Sequence, residues 1–236
     1  VWAAYAQVDQ VTRAPAQLIA AARTQLVQSA DAGVITELHV REGDEVTAGQ
    51  LLVTLEKERA AAAVSDSSAK VAALRITLVR LAAEAESKPL RFPKDLQQHL
   101  DYIRNQTALY ASRQRAFKSD IDSLTNIETL AKRELAINQA LEKTGDVSRV
   151  EILRLQRTVA DVQAQRSSRQ NKYFQDVQAE MAKTQEELSS QTEQLRDRMQ
   201  MLEHTELVAP LDGIINNIRI NTVGGVVRAS ETVMEL

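Results

Sequence analysis

Glycine and proline punctuate backbone structure more strongly than any other residues, and in this chain they leave a long central stretch almost untouched. Six of the seven glycines fall in two short regions, Gly33, Gly43 and Gly49 near the start and Gly213, Gly224 and Gly225 near the end. The seventh is Gly145. The prolines are Pro15, Pro89, Pro93 and Pro210, so from Lys94 to Ala209 only the neighbourhood of Gly145 interrupts a helix. The map is that of turn-rich β ends around a helical middle with one break, a β, then αα-hairpin, then β order.

Composition narrows the classes. Aromatic residues make up only 3% of 236, so a wide core built on Phe, Tyr and Trp is excluded, and with it a bulky globular enzyme. Net charge is −3, which offers no basic footprint for nucleic acid. Cysteine is absent, which excludes disulfides, thiolate zinc sites and a cysteine nucleophile. No window reaches the roughly 18 apolar residues of a membrane span or the form of an intact signal peptide. A start at Val1 rather than Met reads as a piece of a longer chain.

The middle carries heptads. Val71, Leu74, Leu78, Leu81 and Ala85 step by three and four, while Ile103, Tyr110, Phe117 and Leu124, and again Phe174, Met181, Leu188, Leu195 and Leu202, recur every seven residues. One narrow stripe per helix is the pattern of a coiled-coil seam. Lys143-Thr144-Gly145 has the form of a helix C-terminus, and Ser148 with Glu151 has the form of a capping box that opens the next helix. The chain should therefore turn back on itself as an intramolecular antiparallel hairpin with its tip at 143–148. Prolines 89 and 93 forbid regular helix at 87–93. The reading is three helices, at about 57–86, 94–142 and 148–203, with 87–93 dropping back beside the first so that the arms end level. The remaining carboxylates on these helices read as solvated faces or i,i+4 partners.

The ends repeat one motif. Val27 to Val40 superposes on Leu207 to Ile220 at an offset of 180, and Val46 to Leu55 superposes on Val227 to Leu236 after one inserted residue. Each half alternates apolar and polar residues around glycine turns but is too small to bury a core by itself, so the two must pair. The expected fold class is α+β, a long antiparallel coiled-coil hairpin inserted into a split β-sandwich. Its segments are an N-terminal piece 1–24, a first half 25–56, the hairpin 57–203 and a second half 204–236.

The half-motif, with Ala32-Gly33-Val34-Ile35 and Asp212-Gly213-Ile214-Ile215 followed by Gly43-Asp44-Glu45-Val46 and Gly49-Gln50-Leu51-Leu52, resembles the lipoyl/biotinyl-type sandwich. Split by a long hairpin, and with Val40 to Val46 and Gly224 to Thr232 beside it, the chain is similar to the periplasmic adaptor, or membrane fusion, proteins of the haemolysin-secretion branch. That resemblance implies a non-enzymatic type I secretion adaptor in the periplasm, held in the inner membrane by an upstream helix. Its implied partners are an inner-membrane ABC transporter, a TolC-like outer-membrane channel, a secreted protein substrate and copies of itself in a ring, commonly six, with no cofactor and no nucleic acid. The family's tip motif R-x6-L-x6-S maps onto Leu141 and Ser148, but Glu134 holds the arginine position and Arg133 comes one residue early. Val147 and Val150, apolar at the tip, add to the candidate docking set. Ser148 keeps a second reading, as an N-cap.

Three alternatives stand beside the adaptor, of which a purely structural coiled-coil rod would have no need of the split β motif. A drug-efflux adaptor typically has a shorter hairpin than these roughly 150 residues. A lipoyl or biotinyl carrier would modify Lys57, but that lysine falls where the first helix begins rather than on a tight hairpin. In the first 24 residues, Trp2 and Tyr5 read either as interfacial anchors or as strand residues, and Val8, Val11 and Leu18 to Ala22 as one strand of a β-barrel completed elsewhere. His39, His99 and His204 are scattered, with no metal-ligand spacing, phosphate loop or nucleophile elbow.

Overall fold

The structure, a computed structural model, describes residues 24–220 and 222–236. The expectations for Trp2, Tyr5, Val8, Val11 and residues 18–22 lie outside the described residues. Two compact units are present. One combines residues 24–56 with His204–Leu236, and the other is Lys57–Glu203.

In the β unit, the N-terminal half supplies β1 (Leu26–Gln28), β2 (Gly33–Leu38), β3 (Glu45–Val46) and β4 (Leu51–Leu55). The C-terminal half supplies β5 (Glu206–Val208), β6 (Gly213–Ile214), β7 (Asn217–Ile218), β8 (Val226–Val227) and β9 (Thr232–Glu235). The halves interleave. Strand β1 pairs with β9, β2 with β8, β3 with β6 and β4 with β5, all antiparallel and all across the insertion. One core results, in which Val27, Ile35, Leu52 and Val53 pack with Leu207, Ile215, Val233 and Met234.

The internal repeat reappears as reciprocal backbone bonds. Gly43 N–H donates to Ile215 O (2.8 Å), and Gly224 N–H donates to Ile35 O (2.8 Å). Gly49 N–H donates to Ala209 O (2.8 Å), and Ser230 N–H donates to Ser29 O (2.7 Å). Side chains close matching turns: Gln50 Oε1 accepts from Thr47 N–H (3.1 Å) and Glu231 Oε2 from Arg228 N–H (2.7 Å). That turn needs a left-handed residue, which is Gly49 (φ 82°) in the first copy and Ser230 (φ 64°) in the second.

The helical unit contains α1 (Glu58–Ala85), α2 (Leu100–Thr144) and α3 (Arg149–Glu203). At its C-terminal end α1 turns through Ser87 (φ 53°), and the chain then folds back along α1. Phe92 and Leu96 pack on Ala72, Ile76 and Val79, and Arg75 pairs with Asp95 at 2.7 Å. This is a drop of roughly 20 Å from Ala85 to the level of Ala72. Tyr110 Oη donates to Lys88 O (2.9 Å) and pins the descent to α2. The second helix does not begin at 94. Lys94–Leu96 form a single 3-10 turn with Leu96 buried, and His99 (ψ 58°) is non-helical, so the reversal of direction consumes the residues up to Leu100. From there α2 runs parallel to α1, bringing Gln106 to Arg80 and Arg113 to Glu84, and α3 returns antiparallel to both.

Burial departs from the simplest heptad picture where three helices meet. On α1, of the expected stripe only Leu81 is fully buried; Ala72, Ile76, Arg80, Ala83 and Glu84 are buried as well, because α1 packs against α2 and α3 at once. On α3 the expected set from Phe174 to Leu202 is half-buried. The fully buried positions of α3 are Ile152, Leu155, Val159, Val162, Tyr173 and Val177.

At the top of α1 lies a layer of buried charge. Arg80 (1% exposed) binds Glu84 (0% exposed) at 2.7 Å, Glu180 at 2.6 Å and the Gln106 side-chain carbonyl at 2.6 Å. Arg113 bridges Glu84 (3.2 Å) and Glu180 (2.7 Å), and Tyr173 Oη donates to Glu84 at 3.3 Å. Above it Phe117 stacks on Tyr173 at 4.2 Å between centroids. Not every charge on these helices is therefore a solvated face; the three-helix layer has taken Arg80 and Glu84 inside, with Arg113 and Glu180 closing it from the rim. Burial pushes the Tyr173 phenol up to about 12, with Glu84 adding to the shift. Burial alone would raise Glu180, but Arg113 and Arg80 outweigh it and hold its carboxyl below the usual range.

Removing one member strands the others, which for a buried pair costs about 3–5 kcal/mol. Glu84→Ala is expected to cost about that free energy, read as a lower thermal midpoint of the helical circular-dichroism signal, whereas Arg80→Met with Glu84→Leu should cost far less than the sum of the single changes. Because the folded Glu180 carboxyl is depressed, its contribution is present above the unfolded pKa and is lost as pH falls through the folded value. Wild-type stability should drop on acidification more steeply than that of Glu180→Gln, as read by urea midpoints across the acidic range.

Candidate interaction surface at the hairpin tip

The tip is shaped by two local devices. Helix α2 ends in a Schellman turn: Gly145 is left-handed (φ 87°), its N–H donates to Glu142 O (3.1 Å), and Asp146 N–H reaches back to Leu141 O (3.0 Å). A Cβ at Gly145 would meet nothing within 4 Å, so the glycine is required by its φ and not by crowding. Helix α3 opens on Ser148, whose Oγ accepts from Glu151 N–H at 3.3 Å. The capping box is completed on that side only. Glu151 turns its carboxylate to Arg154, at 2.6 Å to Nη2 and 3.0 Å to Nε. An arginine one turn along is a stronger partner for a carboxylate than a single backbone amide. Arg149 and Glu142, 3.2 Å apart, tie the two helix ends together.

These devices fix where the candidate docking residues lie. Leu141 is 40% exposed on the last turn of α2, and Val150 is 76% exposed on the first turn of α3. Ser148 is exposed and Val147 half-buried between them. Those four share the tip. Arg133 does not join them on the same helix line: eight residues from Leu141, it is rotated by about 80°, whereas Glu134 at seven residues is only about 20° off. The Leu141 face therefore presents a carboxylate where the family motif has its cation.

Exposed apolar residues continue beyond the tip, which the sequence reading missed. Ile127, Leu130 and Ile137 on α2 are 48, 63 and 62% exposed, and Leu153 on α3 is 53% exposed. The signal was available as a 3, 7, 4 spacing from Ile127 to Leu141 beside the main seam. One heptad stripe accounts for the seam inside the hairpin, and this second stripe lies beside it.

Inside the hairpin near these residues, Glu128 is buried and meets Lys132 at 2.6 Å, Arg166 at 2.9 Å and the Gln163 amide at 2.9 Å. Bonds from Lys132 and Gln163 hold its carboxyl below the ordinary range against the opposing effect of burial, with Arg166 adding to the lowering.

Elsewhere the chemistry is sparse. Lys57 occupies the N-cap position of α1, where the chain leaves the β unit by a helix instead of the tight hairpin that presents a carrier lysine. His204 contacts Asp31 (2.8 Å) and His39 contacts Thr54 (2.9 Å), each as a local structural pair. Among the described residues no group of three His, Cys, Asp or Glu could hold a metal ion, and no helix is long and apolar enough to cross a membrane.

Comparison with known proteins agrees with this architecture. The chain is 27% identical over 283 residues to the alkaline protease secretion protein AprE of Pseudomonas aeruginosa, covering 99% of this chain and 66% of that one. It is 26% identical over 289 residues to the type I secretion system membrane fusion protein PrsE of Rhizobium meliloti, covering 99% and 64%. The chain thus spans just under two thirds of the length of these relatives. Among solved structures, the soluble domain of LipC, a membrane fusion protein of a type I secretion system, superposes with a TM-score of 0.70 at 26% identity, over 91% of this chain and 99% of that one. The periplasmic adaptor protein EmrA shares the fold, with a TM-score of 0.51 at 18% identity over 91% of this chain and 72% of that one. Residues 23–236 match the family described as CzcB-like, barrel-sandwich hybrid domain, and with its split β unit and inserted helical hairpin the chain belongs to that family.

Proposed function

We propose that this chain is the periplasmic part of a type I secretion adaptor, which links an inner-membrane ABC transporter to a TolC-type outer-membrane channel and assembles as a ring, six copies being the expected number. The observation that carries the reading is the likeness to LipC through both the β unit and the hairpin, at 26% identity over nearly all of that domain. Relatives named for protease secretion point the same way and favour an exported protein as cargo. The drug-efflux alternative has less support, since EmrA at 18% identity shares the fold alone. A carrier function is disfavoured by the helical setting of Lys57. The role is one of scaffolding and not of catalysis, and an inner-membrane anchor upstream of this segment completes the proposal.

The tip supplies the outer-membrane contact, with Leu141, Val147 and Val150 as apolar contacts and Ser148 as a hydroxyl partner. Arg133 is the cation available to this surface, on a different line of α2 from Leu141. Exposed apolar groups at the end of a rigid hairpin suit a helical channel rim.

Replacing Leu141 by Asp and Ser148 by Ala together is expected to reduce protein export by at least about tenfold, while the circular-dichroism spectrum stays helical. Loss of the cap alone costs about 1 kcal/mol, too little to unfold the hairpin. Ser148→Asp separates the two roles of that residue, because aspartate caps a helix as well as serine does. Export reduced in Ser148→Asp at unchanged stability supports docking. Normal export by the Leu141 and Ser148 double variant would defeat it.

A further inference from the structure

The ridge formed by Ile127, Leu130, Ile137 and Leu141 runs about 20 Å down the outer side of α2, too far for a contact made only at the tip. Its 3, 7, 4 spacing and its 40–63% exposure are those of a coiled-coil seam without its partner helix. The partner can be read from the hairpin's own register. Across it, Phe117 faces Tyr173, Asp120 faces Arg169, Glu128 faces Gln163 and Glu142 faces Arg149. On that register the outer face of α3 carries, at the heights of the ridge, the small exposed residues Ala164 and Ala160 level with Ile127 and Leu130. The exposed Leu153 and Val150 come level with Ile137 and Leu141.

Charge agrees with shape. Glu134 sits at the middle of the ridge, where its charge is felt by Arg154 of the same hairpin, and Arg157 lies level with it on α3; both are exposed, and among the described residues neither makes an ion pair within 4 Å. Pairing the ridge with another copy of itself, in either direction, would set Glu134 near Glu134 at its centre, a like-charge contact that opposes association.

We propose that the ridge is the seam to a second copy of this chain, laid alongside and pointing the same way, with α2 of one hairpin packed on α3 of the next. Leu130 and Ile127 fill the space above Ala160 and Ala164, Ile137 meets Leu153, and Glu134 pairs with Arg157 of the neighbouring copy, which leaves Leu141 and Val150 at the tip for the channel. Such a contact is heterologous, so repetition closes a ring when the rotation permits. The inference deepens the ring assembly proposed above and rests on that reading, while its test reads neighbour contact separately from export.

These 236 residues contain no cysteine, and any cysteine elsewhere in the full-length adaptor is first replaced by serine. Two differently tagged full-length adaptors, one Leu130→Cys and the other Ala160→Cys, are co-expressed with their transporter and channel and then oxidised. A disulfide-linked dimer carrying both tags is expected, with neither variant cross-linking to itself. Cross-linking of Leu130→Cys with itself, or no cross-link while the adaptors still associate and export, would overturn the seam alone. Failure to associate at all would overturn the seam and the adaptor reading together. A charge exchange gives a second reading. Glu134→Arg and Arg157→Glu should each weaken self-association at least about tenfold when expressed alone, because every seam then juxtaposes like charges. Mixing the two should restore it, since alternating copies pair arginine with glutamate at each seam; no recovery on mixing would contradict the proposal.

Discussion

Backbone pairing between two segments separated by about 150 residues is the constraint on which this structure depends. Every strand of the first half that meets the second half does so antiparallel, and reciprocal bonds such as Gly43 to Ile215 and Gly224 to Ile35 close the exchange. Neither half has a core of its own, because the apolar residues that cover Ile35 and Leu52 come from beyond the hairpin. Such long-range pairing loses loop-closure entropy before it gains contacts. A hairpin that folds locally offsets this by bringing the chain at Lys57 and the chain at Glu203 back from one continuous, ordered insertion.

Within the hairpin, apolar seam and buried charge divide the work of specification. Leu and Val side chains at seam positions supply association but tolerate sliding by a heptad, since one such residue replaces another at similar volume. The Arg80, Glu84, Arg113 and Glu180 layer does not tolerate it. A shift of α1 by one turn would leave a guanidinium or carboxylate buried without its partner, a penalty of several kcal/mol. The layer lies where α1 ends and three helices give way to two. It thus sets how far α1 rises, which in turn fixes the length of the descending segment that Phe92 and Leu96 anchor.

What was legible in the sequence follows from which forces are local. The repeat at an offset of 180 could be read because turn chemistry, glycine and alternating apolar residues all sit within short windows. The Gly145 turn and the Ser148 cap could be read for the same reason. The start of α2 could not, because the 3-10 turn at Lys94–Leu96 is set by burial of Leu96 against α1, a contact between residues some twenty positions apart. Arg80 and Glu84 look like an ordinary surface pair at i,i+4, and only the arrival of Glu180 and Arg113 from other helices makes them internal. At the tip, the motif positions Leu141 and Ser148 share the surface with Val150, while helical rotation separates Arg133 from them. The second apolar ridge was written in the spacing of Ile127, Leu130 and Ile137, but periodicity alone does not say which of two stripes an intramolecular partner will cover.

Hydrogen exchange of the cross-half amides tests the central claim most directly. Gly43, Gly49 and Ile35 in the first half and Gly224, Ser230 and Ile215 in the second all donate across the insertion. If the halves form one cooperative core, their protection will be of similar size, and a destabilising change in one half, such as Leu52→Ala, will lower protection in both equally. Protection in the second half that survives that substitution unchanged would mean that the two segments fold as separate modules, and the account would fail.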